Sequence, residues 1–464
     1  MTMWLPDLLQ PDLPKYLAIA QAIVRAIQQG DLRPGTRLPP QRRLADALSV
    51  TTGTITRAYA EAERQGLLEA RVGSGTYVRQ RGQVDSFRFS EQRSEVDLGF
   101  TLALQDGQCE DIRRMLTDLV ANPVQLNTLL GYMPETGLRQ HREAAARWLK
   151  REGVDRPADD ILLCGGGQNG LFIALSTLCD TGDTVLSEGL TYTGFSLAAR
   201  HLRLRHIGLP MDEEGLIPGE LRTACERYRP RAVYLMPQLH NPTGAQMSDA
   251  RKRELLAICR QYQVMVIEDN VQSALLADLP EPMVAMDPDQ VIALSSCSKC
   301  FSGGLRVGFL VPPPAWLDRF RVAMRVNHWM ITPLACELVA RWIDHPERDR
   351  SLARQQAACA RRHELTRDIL QGFDYQAHPC ALSGWLRLPA RWRARDLAQA
   401  LHQVGIDVKP ADVFVVGQYR TPEAIRICVG GDLSEETLAN ALHRIRTTLT
   451  HPGDDSRWLQ DCTI

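Results

Sequence analysis

The stretch LSSCSKCFSGGLRVGFL, residues 294–310, sets Lys299 among serines, glycines and apolar residues, with Arg306 seven positions later. The chain holds only five lysines in 464 residues, so one in an uncharged segment is a poor candidate for a routine solvated charge. It directly follows VIALSS (291–296), an apolar run of strand length. Four similar runs precede it: ILLC (161–164), DTVLSE (183–188), AVYLMP (232–237) and VMVIED (264–269). Amphipathic stretches such as residues 248–262 lie between them. This alternation predicts an α/β body built on a mainly parallel sheet with helices on both faces.

Open parallel sheets bind ligands beyond the carboxyl ends of their strands. Polar clusters occur at four such ends: CGGGQNG after ILL, QLHNPTG after VYLMP, EDN after VMVI, and CSKCF after VIALSS. The glycines of the first let backbone amides approach an anion at a helix start. From about residue 345 the pattern changes to one long helix, then GWLRL, then an IRICV strand, which predicts a smaller α+β subdomain. The expected body is therefore 98–464, with a large subdomain over about 98–344 and a small one over about 345–464.

The first 79 residues read differently. KYLAIAQAIVRAIQQ (15–29) has a helical apolar period, QRRLADALSV gives a short helix, and Thr51 is placed to cap a third helix running through Gln65. Leu67–Val78 reads as two short strands around VGSGT. Three helices and a hairpin make a winged helix-turn-helix. Residues 80–97 are polar, without apolar periodicity, and read as a linker.

Composition bounds the rest. With 44% hydrophobic residues the chain can bury a large core, and its formal charge of −1 means that any nucleic-acid surface is local. The first 80 residues carry ten Lys/Arg against seven Asp/Glu. No run reaches the ~18 apolar residues needed to span a bilayer, and no export segment is evident. The twelve cysteines lack a disulfide or zinc spacing pattern, and Cys297 and Cys300 have no second pair. A reducing cytoplasmic setting is expected.

From about residue 98 onward the chain resembles the fold-type I aminotransferases, which use pyridoxal 5'-phosphate (PLP). The motifs that carry the resemblance are YMPETGLR (132–139), GGGQ (165–168), NPTG (241–244), ED (268–269) and S-x-S-K (296–299) with Arg306. The resemblance implies that Lys299 condenses with the cofactor aldehyde, Asp269 pairs with the pyridine nitrogen and Asn241 bonds the ring hydroxyl oxygen. Tyr192 would stack on the ring. Gly166, Gly167, Gln168, Ser296, Ser298 and Arg306 would hold the phosphate, and Tyr132 would reach the phosphate of a neighbouring subunit. Arg426 would bind the carboxylate of an amino-acid-like effector. One departure stands out: relatives carry a tyrosine three residues after the aspartate, and this chain has Gln272, whose amide can donate a hydrogen bond but cannot ionise.

The stretch 30–78 resembles the DNA-binding head of GntR regulators. The resemblance places Arg42 and Arg43 at the second helix, and Thr52, Thr54 and Arg57 on the third, against double-stranded DNA, with Gly75 in the wing. A GntR head joined to an aminotransferase-like body is the architecture of the MocR branch. That implies a PLP-binding, homodimeric transcriptional regulator acting on an operator with repeated half-sites. The alternative is a PLP-dependent aminotransferase with an accessory DNA-binding head.

Overall fold

Apolar side chains at helical spacing organise the N-terminal unit. In the computed structural model, which describes residues 4–6, 14–29, 31–32, 36–64, 67–71, 75–78, 94–417 and 419–451, helices span Lys15–Gln29, Gln41–Ala47 and Thr52–Arg64. Ile19, Ile23, Leu44, Ile55, Ala58 and Tyr59 bury together between them. Thr51 caps the third helix as its side chain predicts, accepting from the Thr54 amide at 3.2 Å. The strands Leu68–Arg71 and Gly75–Val78 pair antiparallel, Leu68 opposite Val78. Gln65, the wing tip at 72–74 and the linker stretch 80–93 lie outside the described residues.

The chain divides into two units, Met1–Glu91 and Gln92–Ile464. The second is built on a seven-stranded sheet. Its spatial order is Leu162–Cys164, Gly308–Val311, Val291–Ser296, Met265–Asp269, Ala232–Leu235, Thr184–Glu188 and Arg205–Leu209. Only Gly308–Val311 runs antiparallel to its neighbours. Two apolar clusters cover the two faces, as expected of strands buried on both sides. All five apolar runs named above are strands here. Two further strands were not foreseen: Arg205–Leu209 is half polar, as suits an edge, and Gly308–Val311 is too short to show a period.

The small subdomain packs the helices Arg348–Ile369, Ala394–Gln403 and Glu435–Thr450 around a four-stranded antiparallel sheet. Its central strands are Ser383–Arg387 and Ala424–Cys428. Residues 94–97 belong to this fold, although their polarity placed them in the linker. Val96–Asp97 pairs in parallel with Ile406–Asp407, and Ser94 Oγ donates to Asp407 at 2.6 Å. A two-residue strand is specified by its partner across the fold, which no local pattern reveals.

Candidate functional site

Five strand ends of the large sheet and one strand of the small subdomain converge on the site. Lys299 ends a 3-10 turn, Cys297–Lys299, that follows Val291–Ser296. Its Nζ donates to the Thr101 carbonyl at 2.6 Å. Burial, with the Arg426 guanidinium as the second cause, pushes its pKa down from 10.5 to about 8. An amine in that condition is a nucleophile near neutral pH.

Asp269, at the end of the neighbouring strand, is buried and accepts from Tyr234 Oη at 2.5 Å and from the Val271 amide at 3.0 Å. Burial raises its pKa and the Tyr234 bond opposes that rise. Asn241 follows the strand Ala232–Leu235 within a tight loop. There His240 Nδ1 lies 2.8 Å from Thr243 Oγ1, and the Gly244 amide donates to the His240 carbonyl at 2.6 Å. Asn241 Oδ1 accepts from Arg426 Nη1 at 2.6 Å, which leaves its amide nitrogen as the donor for a ligand. Arg426 is 2% exposed and lies over Phe414 at 4.9 Å. Its Nη2 donates to the Gly99 carbonyl at 2.7 Å and its buried Nε has no partner.

The glycine cluster forms a close-walled cradle. Gly166 has φ +82°, and a Cβ there would fall 2.6 Å from Arg306 Nη2. A Cβ on Gly308 would fall 2.7 Å from the Gly166 carbonyl carbon. Both positions therefore require glycine. The helix Gly167–Leu178 begins in the cradle, and a helix start leaves its first amides without intrahelical partners. Ser296 Oγ lies 2.7 Å from Ser298 Oγ and donates to the Val307 carbonyl at 2.8 Å. Gln168 Nε2 donates to the Gly194 carbonyl at 3.0 Å, while its buried Oε1 is unpartnered. A Cβ on Gly194 would fall 2.0 Å from that oxygen and 2.3 Å from Tyr192, so both side chains press on the glycine. Burial, with the Asp269 charge second, pushes the Tyr192 hydroxyl up to about 12.

The cleft thus gathers Gly166, Gly167, Gln168, Tyr192, Asn241, Asp269, Ser296, Ser298, Lys299, Arg306 and Arg426. Tyr132 is not among them: it is 87% exposed and meets Trp329 edge-on at 6.5 Å. Gln272 is half-buried beside the 3-10 turn Ser273–Leu275. Tyr234 and the Gly99 and Thr101 carbonyls escaped the sequence reading. A tyrosine inside an apolar strand reads as core, and backbone carbonyls carry no residue signal. In the N-terminal unit, Arg42, Arg43, Thr52 and Arg57 are exposed, Thr54 is half-buried against Thr51, and Gly75 has φ +113° with Arg37 Nε 3.0 Å from its Cβ position. Among the described residues no group of His, Cys, Asp or Glu could hold a metal, and no helix is long and apolar enough to cross a membrane.

A lysine, a carboxylate and a glycine cradle at the ends of such a sheet define an aminotransferase-like body, and the N-terminal unit is a winged helix-turn-helix. The family model "Aminotransferase class I and II" matches residues 102–445, and "Bacterial regulatory proteins, gntR family" matches residues 15–78. The chain belongs to the aminotransferase class I and II family and carries a gntR-family head, the MocR arrangement. It is similar to the uncharacterized HTH-type transcriptional regulator YdeF of Bacillus subtilis, 29% identical over 449 residues and 96% of both chains. YisV, another uncharacterized HTH-type transcriptional regulator of that organism, is 28% identical over 74% of this chain and 76% of its own. Among solved structures, LysN, an alpha-aminoadipate aminotransferase from Thermus thermophilus complexed with N-(5'-phosphopyridoxyl)-L-leucine, superposes with a TM-score of 0.70. It is 22% identical and covers 76% of this chain and 92% of its own, a likeness of fold.

Proposed function

We propose that the chain is a PLP-binding transcriptional regulator whose aminotransferase-like body senses the cofactor or an amino-compound effector. One observation carries the reading: a half-buried amine with a depressed pKa lies beside a buried carboxylate, in a chain that also bears a GntR head. The ligand of LysN is the same cofactor joined to an amino acid, which supports this choice of group. The site residues fit it: the cradle excludes any Cβ at Gly166, and Arg426 Nε is a buried donor without a partner, free for a carboxylate.

PLP supplies an aldehyde that condenses with amines and a ring that draws electrons from the adduct. Lys299 would present the nucleophilic amine, and Asp269, held by Tyr234, would pair with the ring nitrogen and keep it protonated. Asn241 would donate to the ring oxygen through its amide nitrogen, and Tyr192 would stack on the ring. The cradle amides with Ser296, Ser298 and Arg306 bind the phosphate. Arg426, stacked on Phe414, takes the effector carboxylate through its Nε edge. Gln272 stays neutral at every pH, so it adds no titrating group to those of Lys299, Asp269 and Tyr192.

Tyr132 acts across a homodimer interface that covers Tyr132, Trp329 and Val326, which are 87%, 59% and 83% exposed. The paired heads grip repeated half-sites through Arg42, Arg43, Thr52, Thr54, Arg57 and the wing at Gly75. Titration of the purified protein with PLP, combined with a gel shift on its own upstream DNA, tests the whole reading. The expected result is a visible band removed by borohydride, a dimer, and a shifted fragment. Many transamination turnovers per subunit without a shift would favour the aminotransferase alternative.

A further inference from the structure

The amino ends of the parallel strands form a rim at the opposite edge of the large sheet from Lys299. Two short stretches meet there, RHLRLRH (200–206) and RYRPR (227–231), and neither holds an Asp or Glu. The strands Arg205–Leu209 and Ala232–Leu235 flank Thr184–Glu188. The Arg205 amide donates to the Asp183 carbonyl at 2.8 Å and the Arg231 amide to the Thr184 carbonyl at 2.9 Å. With one strand between them, the two starts lie about 10 Å apart. Arg203, Arg205, Arg227, Arg229 and Arg231 are all exposed. Arg205 and Arg227 each lie over the Tyr228 ring, 5.0 Å from its centre. The neighbouring acids are few. Asp183 pairs with Arg231 at 3.4 Å, Asp180 stands in the same turn as Asp183, and Glu226 accepts from Tyr262 Oη at 2.8 Å.

Two of these arginines occupy backbone that disfavours them. Arg203 has φ +58° and Arg229 φ +47°, left-handed positions just past the helices Thr193–His201 and Pro218–Tyr228. Glycine or asparagine ordinarily ends a helix in this way. Both turns are closed by backbone bonds, the Arg203 amide to the Arg200 carbonyl at 3.0 Å and the Arg229 amide to the Cys225 carbonyl at 3.1 Å. Among the described residues neither guanidinium has a hydrogen-bond or ion-pair partner. A cation gains from the partial negative charge at a helix end. That accounts for one arginine per helix, and not for Arg205 and Arg231 at strand starts. The rim also runs against the charge of the body: the first 80 residues carry +3 and the whole chain −1, so the remainder carries −4.

We propose that this arginine rim is a second surface for double-stranded DNA, which holds phosphates of the duplex outside the half-sites gripped by the heads. Guanidinium groups match phosphate oxygens bidentately and keep their charge at every working pH. The gntR-family head brings a duplex to the same molecule, so phosphate contacts too weak to act alone operate at the high local concentration of a tethered ligand. An acidic protein would lack that advantage. The inference is independent of the cofactor and rests on the DNA-binding reading of the head.

The full chain is titrated with its own upstream DNA by fluorescence anisotropy over a salt series, and the complex is footprinted with hydroxyl radicals. The double variant Arg203→Gly/Arg229→Gly removes two charges and relieves two left-handed backbones. Its thermal midpoint should therefore equal or exceed that of the wild type while DNA binding weakens. Two lost phosphate contacts should lower the slope of log affinity against log salt by about 1.8, and the protected tract should shorten at its flanks. Arg203→Asn/Arg229→Asn, whose side chains accept the same backbone, should repeat the result. A wild-type slope and footprint in both variants would overturn the DNA surface and leave the rim to an acidic protein. Weaker binding that comes only with a lowered thermal midpoint in both would mark the arginines as structural and overturn it too. No binding of upstream DNA by the wild type refutes the reading of the head, and the inference falls with it.

Discussion

The depressed pKa of Lys299 has a kinetic consequence that can be worked out in advance. Only the neutral amine attacks an aldehyde. With a pKa of about 8 in place of 10.5, roughly a tenth of Lys299 is neutral at pH 7, against about 0.03% of an ordinary lysine, a gain of about 300-fold. The rate at which added PLP acquires its lysine-bound visible absorbance should rise about tenfold from pH 6 to pH 7 and level off above pH 8. Stopped-flow absorbance across pH 6 to 10 measures it directly. Arg426→Met supplies the internal check: the guanidinium is the second cause of the depression, so its removal should raise the amine pKa, move the midpoint to higher pH and slow capture at pH 7. A capture rate still climbing tenfold per pH unit between 9 and 10 would show an unperturbed lysine and refute the argument.

Further outcomes concern the head and the core. Arg42→Ala should weaken operator binding and reduce the slope of log affinity against log salt by about 0.9, the counterions of one phosphate contact, in fluorescence anisotropy titrations. Gly53→Ala should stabilise the third helix by roughly 0.5–1 kcal/mol, because the new Cβ meets only Thr51 Oγ1 at 3.8 Å; exchange of the 52–64 amides in mild urea reads this. Glu337 accepts from His141, Arg341, Gln125 and Gln140 at 2.8–3.1 Å. The His141 bond first, with Arg341 adding to it against the cost of burial, holds its pKa at about 2 instead of 4.5. A depressed carboxylate contributes stability that is complete above its unfolded pKa and is lost as pH falls through its folded value. About 2 kcal/mol, after discounting for solvent screening, should therefore disappear between about pH 4.5 and 2. Glu337→Ala should flatten that part of the denaturation-midpoint curve.

Much of the site was legible along the chain because a parallel sheet turns order into place. Each apolar run ends at the same edge, so the residues that follow the runs are delivered to one rim, and their order along the chain groups Lys299, Asp269, Asn241 and the glycine cluster. The head was legible for a related reason: its three helices carry their apolar period and the Thr51 cap within local sequence.

Contacts between distant stretches were decided by the tertiary fold. Tyr234 looks like core filler until Asp269 is found 2.5 Å from its hydroxyl. Val96–Asp97 looks like linker until Ile406–Asp407 pairs with it. The strand Gly308–Val311 is too short to show a period, and its antiparallel place in the sheet depends on neighbours more than a hundred residues apart in the chain. The Thr101 and Gly99 carbonyls become ligands of Lys299 and Arg426 only because the fold lays residues 99–101 against both. Side-chain type and spacing encode what a residue can do and on which element it sits. Which backbone oxygen meets which cation, and how far burial depresses an amine, depend on groups hundreds of residues away, and folding alone brings those together.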